Sequence, residues 1–264
     1  MFYALGDIHG QKAQLDRALA LIENDGGAGA EIFFVGDLVD RGPDSRAVIQ
    51  MIMDGQNAGK PWSCILGNHD YMFHQFVQTG RVLHSEIKSS KSWLHQRLGG
   101  VTTLASYMRD QEIDHPDWVS WDHAIEHGLD PASPSFLTAL SQTAQKVIPS
   151  NHLDWIASLP LFVEAPDNHM IVHAGIRPGV AMRDQTHSDL TWIRDGWLDD
   201  CTPHEFMFVH GHTALEFPQH HGNRINIDGG AAFGRPLVPC GFDGKNWFTL
   251  DETGRSSLRP VQSV

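Results

Sequence analysis

The sequence predicts an α/β fold, and three observations predict it. Short apolar runs, rich in β-branched and aromatic residues, recur along the chain. Amphipathic helical stretches separate the first three of them. Each run ends in a small or glycine-containing turn that carries side chains of metal-ligand type. Ligands at the C-terminal ends of strands are where open α/β sheets place their sites.

The runs come in order. Phe2–Leu5 leads into Gly6-Asp7-Ile8-His9-Gly10, and residues 32–35 lead into Gly36-Asp37-Leu38-Val39-Asp40-Arg41-Gly42. Residues 64–66 precede Gly67-Asn68-His69-Asp70, residues 170–172 precede His173-Ala174-Gly175, and residues 206–209 precede His210-Gly211-His212-Thr213. Runs this short and this apolar read as buried strands. Residues 14–23 put Leu15, Ala18, Leu19 and Ile22 on one helical face, and residues 44–53 repeat Val48, Ile49 and Ile52 behind Asp44 or Ser45 as N-cap.

Between about residues 80 and 148 apolar residues thin out. Trp93, Leu94, Leu98, Leu104, Tyr107 and Met108 stand at helical spacings, and Pro116, Pro131 and Pro134 interrupt them. This stretch is expected to be a mostly helical insertion over the site, inside a single domain spanning 1–264. Trp93, Trp118 and Trp121 are expected in its core. Residues 152–159 read as a further helix. Residues 224–227, 237–242 and 246–250 read as strands of a second sheet, and the polar tail from Glu252 is expected to fray.

Composition narrows the function classes. The chain has 264 residues, 41% of them apolar, enough for a sizeable core. No apolar run reaches membrane-spanning length, and the first residues lack a signal peptide's basic and long apolar regions, so a cytoplasmic protein is expected. Cys64, Cys201 and Cys240 are far apart and odd in number, which favours reduced thiols. The net charge of −13 and the lack of a basic run exclude stable nucleic-acid binding. Carboxylates facing bound cations would reconcile this acidity with a phosphorylated substrate. Oligomeric state has no signal in the sequence.

Asp7, His9, Asp37, Asn68, His173 and His212 each stand at or just after a strand end. Two ions a few ångströms apart need one bridging ligand and several that bind one ion each, and a carboxylate can bridge. Imidazole suits manganese, iron and zinc.

These blocks, above all Gly36-Asp37-Leu38-Val39-Asp40-Arg41-Gly42-Pro43-Asp44-Ser45, resemble the signature blocks of the phosphoprotein phosphatase family of metallophosphoesterases. With Gly211-His212-Thr213 and the segment Asn226-Ile227-Asp228-Gly229-Gly230-Ala231, the chain looks like the bacterial and bacteriophage serine/threonine phosphatase branch. The resemblance implies an α/β sandwich of two mainly mixed sheets flanked by helices. It implies two divalent metal ions, manganese first, with iron or zinc as alternatives. Asp7 and His9 would hold one ion, Asp37 would bridge, and Asn68, His173 and His212 would hold the other, with a water between them as nucleophile. Arg41 and Arg194, with Asn68, would bind the phosphoryl group. His69 would be the general acid, oriented and kept protonated by Asp40. His210 would sit behind His212. The expected substrate is a phosphorylated protein or peptide. A dinucleoside polyphosphate hydrolase is the alternative, and a non-enzymatic metal-binding module ranks below it. Asp70, His74, His84, His95, His115, His220 and His221 are expected at the surface or in packing.

Overall fold

The computed structural model describes residues 1–109 and 133–261; His115, Pro116, Trp118, Trp121 and Pro131 lie outside the described residues. The first sheet contains β1 (Phe2–Leu5), β2 (Ile32–Phe34), β3 (Trp62–Cys64), β9 (Cys240–Phe242), β10 (Trp247–Asp251) and β11 (Gly254–Ser257), in the order β11-β10-β9-β1-β2-β3. The second contains β4 (Phe162–Ala165), β5 (His169–Val172), β6 (Met207–His210), β7 (Gln219–His220) and β8 (Arg224–Asn226), in the order β4-β5-β6-β8-β7. Strands β1, β2 and β3 are parallel, as are β5, β6 and β8; β9, β10 and β11 each pair antiparallel with their neighbour, and β4 and β7 pair antiparallel with β5 and β8. The expected α/β arrangement of two mixed sheets flanked by helices is therefore present.

Strand alternation explains the layers. Phe2 and Ala4 point between the sheets, against Ile171, Val209 and Ile225. Tyr3 and Leu5 point the other way, into a core shared with α1 (Lys12–Gly26) and α2 (Ser45–Asn57). α3 (Asn68–Thr79), α4 (Gly100–Met108), α5 (Pro134–Val147) and α6 (Ser150–Ser158) extend that core. On the outer face of the second sheet, Met170, Val172 and Phe208 meet Leu190 of α7 (His187–Trp192) and Trp197.

Three expectations change. Residues 237–242 and 246–250 do not join the second sheet: β9 pairs antiparallel with β1, and β10 follows it. Phe242 and Trp247 then ring Phe2 at 5.8 and 5.6 Å, which closes one end of the inter-sheet core. The tail does not fray at Glu252. β11 pairs with β10, Arg17 holds Glu252, and Arg255 holds Asp25 at 2.8 Å. Within the 80–148 stretch, residues 81–99 run through turns and bends, and only α4 and α5 are helical among the described residues. Trp93 is buried against Phe76 at 4.9 Å. All three cysteines are free, Cys201 exposed and the others buried.

Phe2 is fully buried between Phe33, Phe242, Trp247 and His169. Phe2→Ala is expected to cost about 3–5 kcal/mol. Urea unfolding checks this: the midpoint should fall with an unchanged slope.

Candidate metal centre

The parallel strands β1, β2, β3, β5 and β6 all end at one edge of the sandwich, and the six expected ligands sit there. Asp7 and His9 follow β1, Asp37 follows β2, Asn68 opens α3 after β3, His173 follows β5, and His212 follows β6. The chain reaches these positions through an uncommon backbone. His9, Asp37, Asp40, Arg41 and His212 all lie in the left-handed region, with φ of 47, 51, 73, 65 and 66°. Non-glycine residues there cost of order 1–3 kcal/mol each and persist where the surroundings over-determine them.

Close approach does the over-determining. A Cβ on Gly67 would fall 2.3 Å from Asp37 Oδ1, and one on Gly211 would fall 2.1 Å from Asp7 Oδ1. Both turns must therefore be glycine for the carboxylates to fit.

Asp37 occupies the middle. Its Oδ2 is 3.6 Å from His9 Nε2, and its Oδ1 is 3.5 Å from His173 Nε2. His9 donates from Nδ1 to the Val39 carbonyl at 2.7 Å, and His173 does the same to the Val35 carbonyl at 2.8 Å. Both Nε2 lone pairs then face the carboxylate. Two ligand groups share Asp37: His9, Asp37 and His69 on one side; Asp37, His173 and His212 on the other. Asp7 is 3.9 Å from His9 Nε2 and accepts the His212 backbone N–H at 3.1 Å. Asn68 Oδ1 lies 2.9 Å from both His173 Nε2 and His212 Nδ1.

This donor set fits divalent cations. Acceptor atoms face acceptor atoms: the His173 Nε2 lone pair meets the Asn68 carbonyl oxygen, and buried His212 Nε2 has no hydrogen-bond partner. Burial, then repulsion from Asp228 and Asp37, holds the Asp7 carboxyl well above its ordinary range. Burial, then Asp70, does the same to Asp37. Burial pushes the His9 and His212 imidazoles well down, and His173 to about 3. Neutral imidazoles beside carboxylates short of positive charge are ligands prepared for metal.

Two guanidinium groups flank the cluster. Arg41 reaches His9 Nε2 through Nη1 and lies 3.1 Å from His69 Nε2 through Nη2. Arg194 donates to the His212 carbonyl at 3.3 Å, and burial lowers its pKa against the pull of Asp37 and Asp7. His69 donates from Nδ1 to Asp40 at 2.6 Å, so the expected orienting contact is present. Burial, then Arg41, pushes His69 well below its ordinary value, and burial lifts Asp40 to about 8. The His210 ring packs on Trp197 at 5.7 Å, on the same outer face as Phe208, and still lies near enough to His212 to lower its pKa. The left-handed His212 breaks the strand alternation that would have kept the two histidines together.

The sequence reading missed four supports. Asp70, expected at the surface or in packing, is fully buried and accepts the backbone N–H groups of Asp37, Leu38 and Gly67 at 2.8, 2.9 and 3.0 Å. It thereby fixes the loop that carries Asp37. An acid three residues after a glycine N-cap was its available signal. Trp93 and Thr103 donate to Asp40 at 2.8 and 2.7 Å. Both come from the 80–148 stretch, which offers no motif. Asp228 is buried beside Asp7 and accepts from Gly230 N at 2.9 Å.

Comparison with known proteins places these observations in a lineage. The family described as Calcineurin-like phosphoesterase matches residues 1–235. The asymmetrical bis(5'-nucleosyl)-tetraphosphatase PrpE of Oceanobacillus iheyensis is 24% identical, covering 93% of this chain and 90% of its own. A symmetrical bis(5'-nucleosyl)-tetraphosphatase of a Shewanella species is 38% identical over 67% of this chain and 44% of its own length. A solved candidate diadenosine tetraphosphatase shares the fold at a TM-score of 0.61 and 21% identity, covering 96% and 94% of the two chains. A cold-active protein-tyrosine phosphatase of a psychrophilic Shewanella does so at 0.58 and 14%, covering 98% and 80%. The relatives similar in sequence are thus named for dinucleoside tetraphosphates, whereas the protein-tyrosine phosphatase shares the fold alone. This overturns the expected phosphoprotein or phosphopeptide partner and the serine/threonine phosphatase branch. No helix of the described residues is long and apolar enough to cross a membrane.

With Asp37 between the two ligand groups, Asp37→Asn is expected to lose both divalent ions on metal analysis, and Asp7→Asn mainly one. His212→Ala should lose metal and His210→Ala should keep it. Full metal content in Asp37→Asn would rule out the shared position.

Proposed function

Because the chain belongs to the calcineurin-like phosphoesterase family, we propose that it hydrolyses dinucleoside polyphosphates, a dinucleoside tetraphosphate above all. The observation that carries this reading is the pair of guanidinium groups, Arg41 from the first-sheet side and Arg194 from the second. They face one carboxylate-imidazole cluster. A phosphoryl group under attack needs positive charge around its oxygens, and two guanidiniums beside a cation site supply it. The names of relatives covering most of the chain support the nucleotide part.

In this reading Asp7, His9 and Asp37 hold one divalent cation, and Asp37, Asn68, His173 and His212 hold the other. Such cations, manganese first among those suited to imidazole and carboxylate, would acidify an attacking water and polarise the phosphoryl group. Arg41 and Arg194 neutralise charge on the phosphoryl oxygens as it spreads in the transition state. Asp70 holds the Asp37 loop so that this geometry needs no reorganisation. Asp40 fixes the His69 ring through Nδ1 and leaves Nε2 toward the reacting group.

The leaving group sets how much His69 contributes. A phosphoanhydride departs as a phosphate, which is far less basic than an alkoxide. The proton of His69 is then worth little, while for an alkyl phosphate it is worth about 10²–10⁴-fold. His69→Asn is therefore expected to spare turnover of diadenosine tetraphosphate and to cut turnover of an alkyl phosphate monoester. Equal losses on both, with metal content intact, would leave His69 as a binding residue. Arg41→Ala should harm both substrates, by about 10²–10³-fold.

The decisive experiment is a substrate panel with manganese: diadenosine tetraphosphate, phosphoserine and phosphotyrosine peptides, and p-nitrophenyl phosphate. Tetraphosphate turnover well above peptide turnover is expected, and the product split, two ADP or AMP with ATP, assigns symmetrical or asymmetrical cleavage. Peptide turnover without tetraphosphate turnover would sink the reading.

A further inference from the structure

Phe233 is 62% exposed, more than Met1, Leu83, Phe217 or Val261, the other large apolar side chains left in solvent among the described residues. A single exposed phenyl ring is ordinary. Its position is not: the Arg41 guanidinium lies 5.4 Å from the ring centroid, and that guanidinium also reaches His9 and His69 of the centre.

The backbone that carries the ring is tied to the centre. It ends a 3₁₀ turn, Ala231–Phe233, flanked by Gly230 and Gly234 in the left-handed region at φ 79 and 81°. Ala231 is buried in the core, and Phe233 N donates to Gly230 O at 2.9 Å. Gly230 N donates in turn to Asp228, the carboxylate beside Asp7. The segment that shapes the charge of the centre therefore also carries an aromatic ring to its rim.

We propose that Phe233 is the platform on which one nucleobase of the substrate stacks while Arg41 holds the adjacent phosphates. This deepens the hydrolase reading and rests on it. A nucleotide joins a flat base to its phosphates through one ribose, and the protein offers an aromatic face next to a phosphate-binding guanidinium in the matching order. An aromatic ring gains from any base, because every base has a π-face, so the platform selects nucleotides over base-free phosphates without reading base identity. The guanidinium near the ring adds a cation–π contact that keeps both groups in place.

The test uses the manganese-loaded full chain and compares ADP with inorganic pyrophosphate, its base-free counterpart, as inhibitors. Phe233→Ala is expected to raise the KM for diadenosine tetraphosphate and the Ki for ADP by roughly tenfold, as loss of one base–aromatic stack does. The Ki for pyrophosphate should stay within about twofold of the unaltered chain, and Phe233→Trp should restore nucleotide binding that Phe233→Leu does not. Two results overturn the platform: equal weakening of ADP and pyrophosphate, which would make Phe233 a support for Arg41 alone, or no change in either. Lack of tetraphosphate turnover by the unaltered chain is a different failure, that of the hydrolase reading.

Discussion

The structure is organised around a repulsion. Asp7, Asp37 and Asp228 are buried within one edge of the sandwich; Asp228 and Asp37 raise the cost of charging Asp7, and Asp70 and Asp40 raise that of charging Asp37. Carboxylates taken out of water must be compensated or neutralised. The chain supplies part of that compensation with backbone N–H groups: His69 N to Asp37 at 2.9 Å and His212 N to Asp7 at 3.1 Å. Arg41 and Arg194 supply more, from outside the cluster. What remains is a deficit of positive charge enclosed by neutral imidazoles, a cavity chemistry that divalent cations complete and protons would only mute.

That deficit explains why the surrounding geometry is so constrained. Parallel strands bring five chain segments to one edge, but strand ends alone would leave the side chains alternating across the sheet. The left-handed turns at His9, Asp37 and His212 swing the ligands inward, and the glycines at 67 and 211 let backbone press on the carboxylates. Asp70 then locks the Asp37 loop with three backbone bonds. The local strain is sustained by the same contacts that position the ligands, so stability and site geometry are one problem here. The long inter-sheet core around Phe2 is what keeps the two contributing edges in register.

Much of this was legible in the sequence, for identifiable reasons. The strand starting at Phe2 and the helix behind Asp44 declare themselves because burial imposes period two and period 3.6 on apolar residues. The ligand positions declare themselves because metal-binding side chains follow each run directly. Strands β9 and β10 read correctly as strands, but their sheet did not, since pairing partners across the chain leave no mark on local pattern. β4, β7 and β11 are short or polar edge strands and carried no signal at all. Trp93 and Thr103 act on Asp40 from a stretch without motifs, where only the folded chain reveals which donor meets which acceptor.

The mistaken substrate has a physical origin of its own. The strand-end blocks encode how phosphorus is held and attacked, and that chemistry is the same whether the group leaving is a serine oxygen or a nucleoside phosphate. Discrimination must therefore come from what meets the rest of the substrate. In this chain the groups at the rim are Phe233, beside Arg41, and the loops following residue 80. Gly99 presses so closely on Arg41 that a Cβ there would fall 2.2 Å from the arginine backbone nitrogen. The stretch with the least readable sequence thus sets the reach of the residue that bridges general phosphate chemistry and substrate choice. A hydroxyl-leaving phosphatase needs an acid at that point, whereas an anhydride hydrolase needs a grip on the departing nucleotide. In the proposed reading, the exposed ring beside Arg41 would meet the second need.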